Sequence, residues 1–307
     1  MPELPEVETI RQDLRKKILN KKIIGVETTV KARLNKSRAT FARFLVGKKF
    51  VDIDRIGKLL IFVLSGKEKY LLAHLKMTGQ LVWIKELPPH PIPLLGQERG
   101  FVAGGHQGLK PIELPNNYTR ATFVFADKSF LYFNDLRRFG YLHLVDEKEL
   151  LKIKSKYGIE PLTKSFTLKN FLSRLQNKSR TLNKVRDKKI NIKSALLDQS
   201  LFAGIGNIYA DESCFLAGIK PMTKVCKLTS ARARKLYKCI AKIIKKSIDK
   251  RGTTFSNYVD SDGRIGGFKR HLKVYGRAGE NCRRCKAIIK KIKLNGRGTH
   301  FCPTCQK

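Results

Sequence analysis

Apolar residues recur at Val7, Ile10, Leu14 and Ile18, close to i, i+3, i+7 and i+11, and this spacing predicts an amphipathic helix over residues 5–19. Pro5 suits its first turn, and Glu6 and Glu8 lie near its positive dipole end. From there to residue 145 the pattern changes to short β-rich runs at 23–26, 50–53, 59–64, 70–75, 121–125, 130–133 and 141–145. Short strands at such spacing predict a β-sandwich. The Pro/Gly-rich stretch 85–118 is long for a connection inside a compact domain and is read as an insertion loop. Past Tyr157-Gly158-Ile159-Glu160-Pro161 the apolar period lengthens to about 3.6 and holds through Lys250, so a second, helical domain begins here. Within it, residues 191–217 read as helix, double turn, helix. The first helix covers 192–199, the turn is Phe202-Ala203-Gly204-Ile205-Gly206, and Asn207 caps the second helix, which ends before Gly218. The free N–H groups at that second helix start can receive a phosphate. Gly204-Ile205-Gly206 is not a dinucleotide-binding fingerprint, because no strand precedes it.

Charge narrows the class of partner. The chain of 307 residues has 64 Lys+Arg against 25 Asp+Glu, a formal net charge of +39. That excess points to a polyanion, with DNA, RNA and an anionic membrane surface as candidates. Lys184, Arg186, Lys188, Lys189 and Lys193 cluster just before the double turn, next to the phosphate-ready helix end. With 42% hydrophobic residues and 17 Phe the chain can build a packed core, which excludes a disordered basic tail. No apolar run approaches the roughly 18 residues of a membrane span. The first residues lack the basic and apolar regions of a signal peptide, so the expected location is a reducing cytosol.

Four of the seven cysteines fall as Cys282-Arg-Arg-Cys285, sixteen intervening residues, then Cys302-Pro-Thr-Cys305. This is zinc-ribbon spacing: each C-x₂-C turn aims two thiolates at one ion, and the stretch between them can form a connecting hairpin. With both pairs engaged no coordination position stays open, so one structural Zn²⁺ is expected. Cys214, Cys226 and Cys239 lie in helical patterns and are expected as buried thiols.

These pieces occur together with Pro2-Glu3-Leu4-Pro5-Glu6-Val7-Glu8-Thr9, Lys58, His74-Leu75-Lys76-Met77-Thr78-Gly79, Asn134-Asp135-Leu136-Arg137-Arg138-Phe139-Gly140, residues 204–212, Val274-Tyr275-Gly276-Arg277 and Arg297. In order and spacing the chain resembles the formamidopyrimidine-DNA glycosylase family over nearly its whole length. The related endonuclease VIII branch typically opens Pro-Glu-Gly-Pro-Glu, so Leu4 and the Arg137-Arg138-Phe139 segment favour the formamidopyrimidine branch. The resemblance implies an α+β chain. A helix and β-sandwich form a catalytic domain over 1–150, followed by a linker at 151–165, a helix-two-turn-helix DNA-binding domain over 166–277 and a zinc ribbon over 278–307. It further implies a monomer, found with the bacterial nucleoid, that acts on damaged double-stranded DNA in base excision repair.

The chemistry implied starts at the N-terminus. Removing Met1, which a small second residue permits, exposes the Pro2 secondary amine, whose ordinary pKa of about 8 leaves an appreciable neutral fraction. By resemblance, Pro2 attacks the anomeric carbon of the damaged nucleotide and expels an oxidised purine such as 8-oxoguanine or a formamidopyrimidine. The resulting iminium permits β- and δ-elimination of the strand. Glu3 matches the general acid/base at the sugar, and Lys58 the residue that assists β-elimination or holds the adjacent phosphate. Arg297 matches a residue linked to δ-elimination; an always-charged guanidinium is read as an electrostatic clamp there, not as a proton donor. Met77, Arg137 and Phe139 match the side chains that fill the hole left by an extruded base. His74, Arg138, Lys188 and Asn207 match DNA-binding positions, and Glu212 a carboxylate bordering the damaged-base pocket.

Two departures stand out. The family usually has a DNA-contacting histidine where this chain has Tyr118, with Arg120 nearby, so one phosphate contact is expected to change. The 85–118 insertion is also longer than usual, and its His90 and His106 read as exposed loop histidines before metal ligands. Two rival readings share the architecture: an endonuclease VIII-like activity on oxidised pyrimidines, and a non-catalytic DNA-binding homologue.

Overall fold

The helix expected near the chain start is present as α1 (Leu4–Ile18), and Val7, Ile10, Leu14 and Ile18 are all fully buried. Glu6 closes its first turn by accepting the Glu3 N–H at 2.8 Å, so the residues beside the chain end also fix where the helix begins. The computed structural model describes residues 1–66, 69–86, 114–180 and 190–307, with side chains omitted for 177–180. Lys188 and its basic neighbours Lys184, Arg186 and Lys189, and His90 and His106 of the expected insertion, lie outside the described residues.

After α1 come β1 (Ile23–Thr28), α2 (Arg38–Leu45), β2 (Phe50–Ile56), β3 (Leu59–Leu64), β4 (Lys69–His74), β5 (Gly79–Ile84), β6 (Thr119–Phe125), β7 (Phe130–Asp135), β8 (Tyr141–Asp146) and α3 (Glu147–Lys154). The strands form two antiparallel four-stranded sheets, ordered β1-β6-β7-β5 and β2-β3-β4-β8. Their shared core is aromatic, with the Phe50 ring 5.0 Å from Phe62 and 6.1 and 6.2 Å from Phe123 and Phe125. The apolar run of β3 is buried along almost its whole length, which suits a strand covered on both faces. Three elements go beyond the expected set: α2, started by the Ser37 hydroxyl accepting the Thr40 N–H, β5, and α3, which reaches into the expected linker.

Residues 1–154 and 250–269 form one compact unit, and 155–249 with 270–307 form a second. In the first unit the returning segment is stitched to α1 and β5. The Thr253 N–H donates to Glu6 at 2.7 Å, the Trp83 N–H to Ser261 at 2.9 Å, and the Gln80 amide to the Asn257 carbonyl at 2.6 Å. Gly252, at φ +78°, makes the first contact possible, since a Cβ there would come within 2.8 Å of the Glu6 carboxylate.

The second unit contains α4 (Leu168–Arg180), α5 (Ile192–Leu197), α6 (Asn207–Ala217), α7 (Ser230–Asp249), β9 (Lys290–Leu294) and β10 (Arg297–Phe301). Asn191 caps α5 by accepting the Ser194 N–H. The helix stops at Leu197, two residues short of the expected 199, because the Gln199 side chain holds the turn. Its oxygen accepts the Gly204 N–H and its amide donates to the Ile205 carbonyl, both at 2.8 Å. Gly206, not Asn207, caps α6; Asn207 is the first helical residue and its side chain bonds elsewhere. The helix ends at Gly218 in the left-handed conformation, as expected.

The β9–β10 ribbon runs along α6. The Asn207 amide meets the Gly298 carbonyl, the His300 N–H donates to Asp211, Cys302 packs in a cluster with Phe215, and the Lys307 N–H reaches Gly218. Cys214 and Cys239 are buried as expected, whereas Cys226 is exposed, because it sits in a single 3₁₀ turn before α7 that buries no side chain.

Candidate active site

In the first unit, Pro2 and Glu3 are buried while Met1 is half-exposed. Burial holds the Met1 amine below its ordinary value; the charges of Glu3 and Glu6 oppose this shift, and those of Lys58 and Arg137 reinforce it. These four side chains therefore surround the chain start. Lys58 arrives there on a two-residue hairpin turn, Gly57-Lys58, between the paired Ile56 and Leu59. Gly57 at φ +57° supplies the conformation that turn demands. Lys58 is only 7% exposed, so it is not a surface lysine. The neighbouring cations Arg11 and Arg55 are committed to Glu8. Burial would push the Glu8 carboxyl up, but the Arg11 hydrogen bond and the Arg55 charge outweigh it and hold the group below its ordinary value.

The pairing of Leu59 with His74 brings the Lys58 turn beside the end of β4. His74 accepts the Lys76 N–H on Nδ1 at 3.0 Å, and burial, with the charges of Lys76 and Lys58, pushes its pKa down to about 3. The ring is therefore neutral near pH 7 and carries its proton on Nε2, a donor for an anionic oxygen. Asp135 then ties two loops together. It accepts from the Thr78 hydroxyl and from the Gly140 N–H at 2.6 Å, while Thr78 in turn accepts the Arg137 N–H at 3.0 Å. Gly140 has no room for a Cβ, which would lie 2.8 Å from the Phe133 ring. On this scaffold Met77, Arg137, Arg138 and Phe139 are exposed, with the Arg137 guanidinium 4.9 Å from the Phe139 ring centre. Met77 is therefore not part of the core. Tyr118 is also exposed, whereas Arg120 is buried and donates to the Asp135 and Asn117 carbonyls, both at 3.0 Å. Arg120 thus braces the loop from inside.

In the second unit, Arg297 follows the Asn295-Gly296 turn of the β9–β10 hairpin. Both turn residues have positive φ, the two-residue form for which Asn-Gly is suited, and Arg297 stands exposed at its edge. Three contacts seat this hairpin. The Asn295 amide donates to Ser194 at 2.8 Å, and the Gly298 carbonyl accepts from Asn207 at 3.0 Å and from the Lys193 ammonium at 2.8 Å. Lys193, 1% exposed, also forms a 2.7 Å ion pair with the fully buried Asp211 and bonds Thr299. Glu212, next along α6, is 1% exposed and accepts the N–H groups of Lys273, Val274 and Tyr275 at 2.8–3.0 Å. Burial pushes its pKa up despite those bonds. Its carboxylate holds the 273–275 backbone in place.

The Sγ atoms of Cys282, Cys285, Cys302 and Cys305 lie within 4.8 Å of one another, with Cys282–Cys305 at 3.9 Å and Cys285–Cys302 at 3.4 Å. Tetrahedral zinc with bonds of about 2.3 Å places sulfurs about 3.8 Å apart, so the donor set fits one ion. The Arg284 and Cys305 N–H groups point at Cys282 and Cys302 sulfurs at 3.4 and 3.3 Å, which favours the thiolate form a metal needs.

Three family models match in succession: the formamidopyrimidine-DNA glycosylase N-terminal domain over 1–142, its H2TH domain over 157–258, and the zinc finger found in FPG and IleRS over 279–307. The formamidopyrimidine-DNA glycosylase of Heliobacterium modesticaldum is 37% identical, with all of both chains covered. The chain belongs to the formamidopyrimidine-DNA glycosylase family. Among solved structures, Lactococcus lactis Fpg in complex with DNA containing an abasic site superposes with a TM-score of 0.81 at 34% identity, covering 99% of each chain. The same enzyme with DNA containing an oxidised pyrimidine gives 0.80 at 34% identity over the full length of both.

Within this glycosylase fold, the first unit gathers Pro2, Glu3, Lys58 and Arg137 at the chain start, with His74, Met77, Tyr118, Arg138 and Phe139 on the loops beside it. The second unit gathers Asn207, Arg297, Glu212 and the four cysteines along α6. Sequence reasoning read Glu6 only for its place near the helix dipole, read Lys193 as part of the basic cluster before the double turn, where it is in fact buried against Asp211, and passed over Asp211; all three are almost fully buried. A signal was available: α6 is apolar nearly all round yet holds two acids, and buried charges require partners.

Proposed function

We propose that this chain is a bifunctional DNA glycosylase and abasic-site lyase that removes oxidised purines, with Pro2 as the nucleophile. The observation that carries the reading is the burial of Pro2 and Glu3 together with Glu6 and Lys58 beside the chain start, where burial also shifts the neighbouring Met1 amine toward its neutral form. Once Met1 is removed, the Pro2 nitrogen attacks C1′ of the damaged nucleotide and the base leaves with the glycosidic electron pair, protonated on departure. Glu3 handles protons at the sugar. The C1′–O4′ bond of the resulting aminal then breaks, O4′ takes a proton and the iminium forms; it acidifies the C2′ hydrogen, so the 3′-phosphate leaves by β-elimination, a second elimination releases the 5′-phosphate, and hydrolysis frees Pro2. Lys58 assists the first elimination through its ammonium, and Arg297 clamps a phosphate through its guanidinium.

The neutral His74, Asn207 and Lys188 serve as phosphate contacts, and Tyr118 changes the contact made by the usual histidine. Met77, Arg137 and Phe139 fill the gap left by the flipped base. Glu212 acts on the base pocket through the 273–275 backbone it holds. The enzyme works as a monomer on DNA in the bacterial cytosol and nucleoid; among the described residues no helix is long and apolar enough to cross a membrane.

Endonuclease VIII-like preference is the second reading, favoured by the Lactococcus lactis enzyme's complex with an oxidised pyrimidine. Single-turnover excision from duplexes carrying 8-oxoguanine, a formamidopyrimidine or an oxidised pyrimidine separates the two. Faster release of the purine lesions is expected, and faster pyrimidine release would reverse the assignment.

A further inference from the structure

The second unit has another cationic surface, away from Asn207 and Arg297. Helix α7 buries Ala233, Leu236, Cys239, Ile240, Ile243 and Ile244 and turns Arg234, Lys235, Lys238, Lys242, Lys245 and Lys246 to solvent. The one acid in the helix, Asp249, is its last residue, and among the described residues none of these six cations has a carboxylate partner. Lys238, Lys242 and Lys245 rise by about 6 and 4.5 Å from one to the next, a continuous track along one face.

Arg284, from the first cysteine knuckle, extends the track, its guanidinium 4.6 Å from the Phe215 ring centre. The charges of Lys235, Lys242 and Arg284 all act on the Cys239 thiol, so they converge on one patch. Lys235 lies 3.9 Å from the Cβ position of Gly218, at the C-terminal end of α6. Asn207 is at the other end of that eleven-residue helix, about 16 Å away.

We propose that the α7–Arg284 face binds the phosphate backbone of a second duplex DNA segment, separate from the duplex held at Asn207 and Arg297. A row of unpaired cations repels itself and gains most from a polyanion that releases its own counterions on contact. A membrane surface fits poorly: an interfacial helix must insert its apolar face, and that of α7 is already buried in the core. The consequence is a molecule that bridges two duplexes, and can therefore pass from one to another without first dissociating.

The test uses the full zinc-loaded chain, an immobilised undamaged duplex and a second, labelled duplex of different length. Wild type is expected to retain the labelled duplex. Lys238→Glu/Lys242→Glu/Lys245→Glu should reduce retention at least tenfold and lower the log–log salt slope of the second binding event by about 2.7, three phosphates at about 0.9 each. The same positions changed to Arg should bridge like wild type, and excision from one short lesion duplex should stay within twofold for both variants. Undiminished bridging by the Glu variant would overturn the proposal. So would equal weakening of both binding events, which would put the track on the first duplex, or a labelled anionic vesicle retained in preference to the duplex.

Discussion

At the chain start, burial lowers the pKa of the Met1 amine and pushes His74 down to about 3, so both groups shift toward their neutral forms. Beside α6, Lys193 and Asp211 are at least as buried, yet they stand as an ion pair at 2.7 Å, with further bonds to Gly298, Thr299 and the His300 N–H. The difference lies in what each region offers its buried groups. The first unit surrounds the amine with opposing charges, leaving desolvation as the largest influence. The second supplies a counter-charge and hydrogen bonds in fixed positions, which is the condition for keeping a charge inside. The first arrangement suits groups that lose their charge on burial, the second a charged pair held still inside the fold.

The most severe way to break the second region is to remove its metal. Cys302→Ser should abolish stoichiometric zinc, and with it about 10–16 kcal/mol of binding energy that holds such ribbons; metal analysis and a DNA titration should show both lost together. Full metal content with full affinity would mean that the hairpin seats itself without the ion. Lys193→Met leaves the Asp211 carboxylate buried and alone, so urea unfolding should report a loss of about 3–5 kcal/mol. Adding Asp211→Asn should recover part of that loss, and no recovery would show that the pair is not the source.

In the first region Glu3→Gln should slow base release by about 10²- to 10⁴-fold, the usual reach of general acid/base catalysis, while affinity for the lesion duplex stays within a few-fold. Unchanged single-turnover rates would remove Glu3 from the mechanism. His74 gives the smallest effect. Its folded pKa lies below the unfolded value of about 6.5, so its contribution is complete above that pH and is lost as pH falls from about 6.5 toward 3. His74→Gln should flatten the decline in urea midpoint between pH 7.5 and 5; parallel curves for the two proteins would show that the ring is not held neutral.

The elements visible in the sequence are those whose signal is local. The α1 stripe, most strands and the cysteine knuckles depend on spacing alone, and they are found where spacing puts them. β5 was hidden because its apolar run Leu81-Val82-Trp83-Ile84 follows directly on the His74–Gly79 segment and precedes the Pro/Gly-rich stretch. α2 is short, with two buried side chains, and its Ser37 cap is readable only once the helix is suspected. The Asn295-Gly296 turn that sets Arg297 was legible and passed over. What spacing cannot carry is pairing at a distance. That Arg120 turns inward, that Asn207 gives its amide to Gly298 instead of capping α6, and that Lys193 finds Asp211 all depend on chain segments far apart in sequence.

The central claim is that the buried chain start is the nucleophile, and borohydride trapping tests it most directly. The protein is mixed with duplex DNA containing 8-oxoguanine opposite cytosine, reduced, digested, and the cross-linked peptide sequenced by mass spectrometry. Hydride converts an iminium to a stable amine, so the adduct marks the attacking nitrogen. An ordinary lysine, with a pKa of about 10.4, is only about a thousandth neutral near pH 7.4, so the many lysines compete poorly with an N-terminal amine whose ordinary pKa is about 8. The account predicts a chain that begins at Pro2, with the adduct on the Pro2 nitrogen. An adduct on an internal lysine, or full activity from a chain that retains Met1, would contradict it.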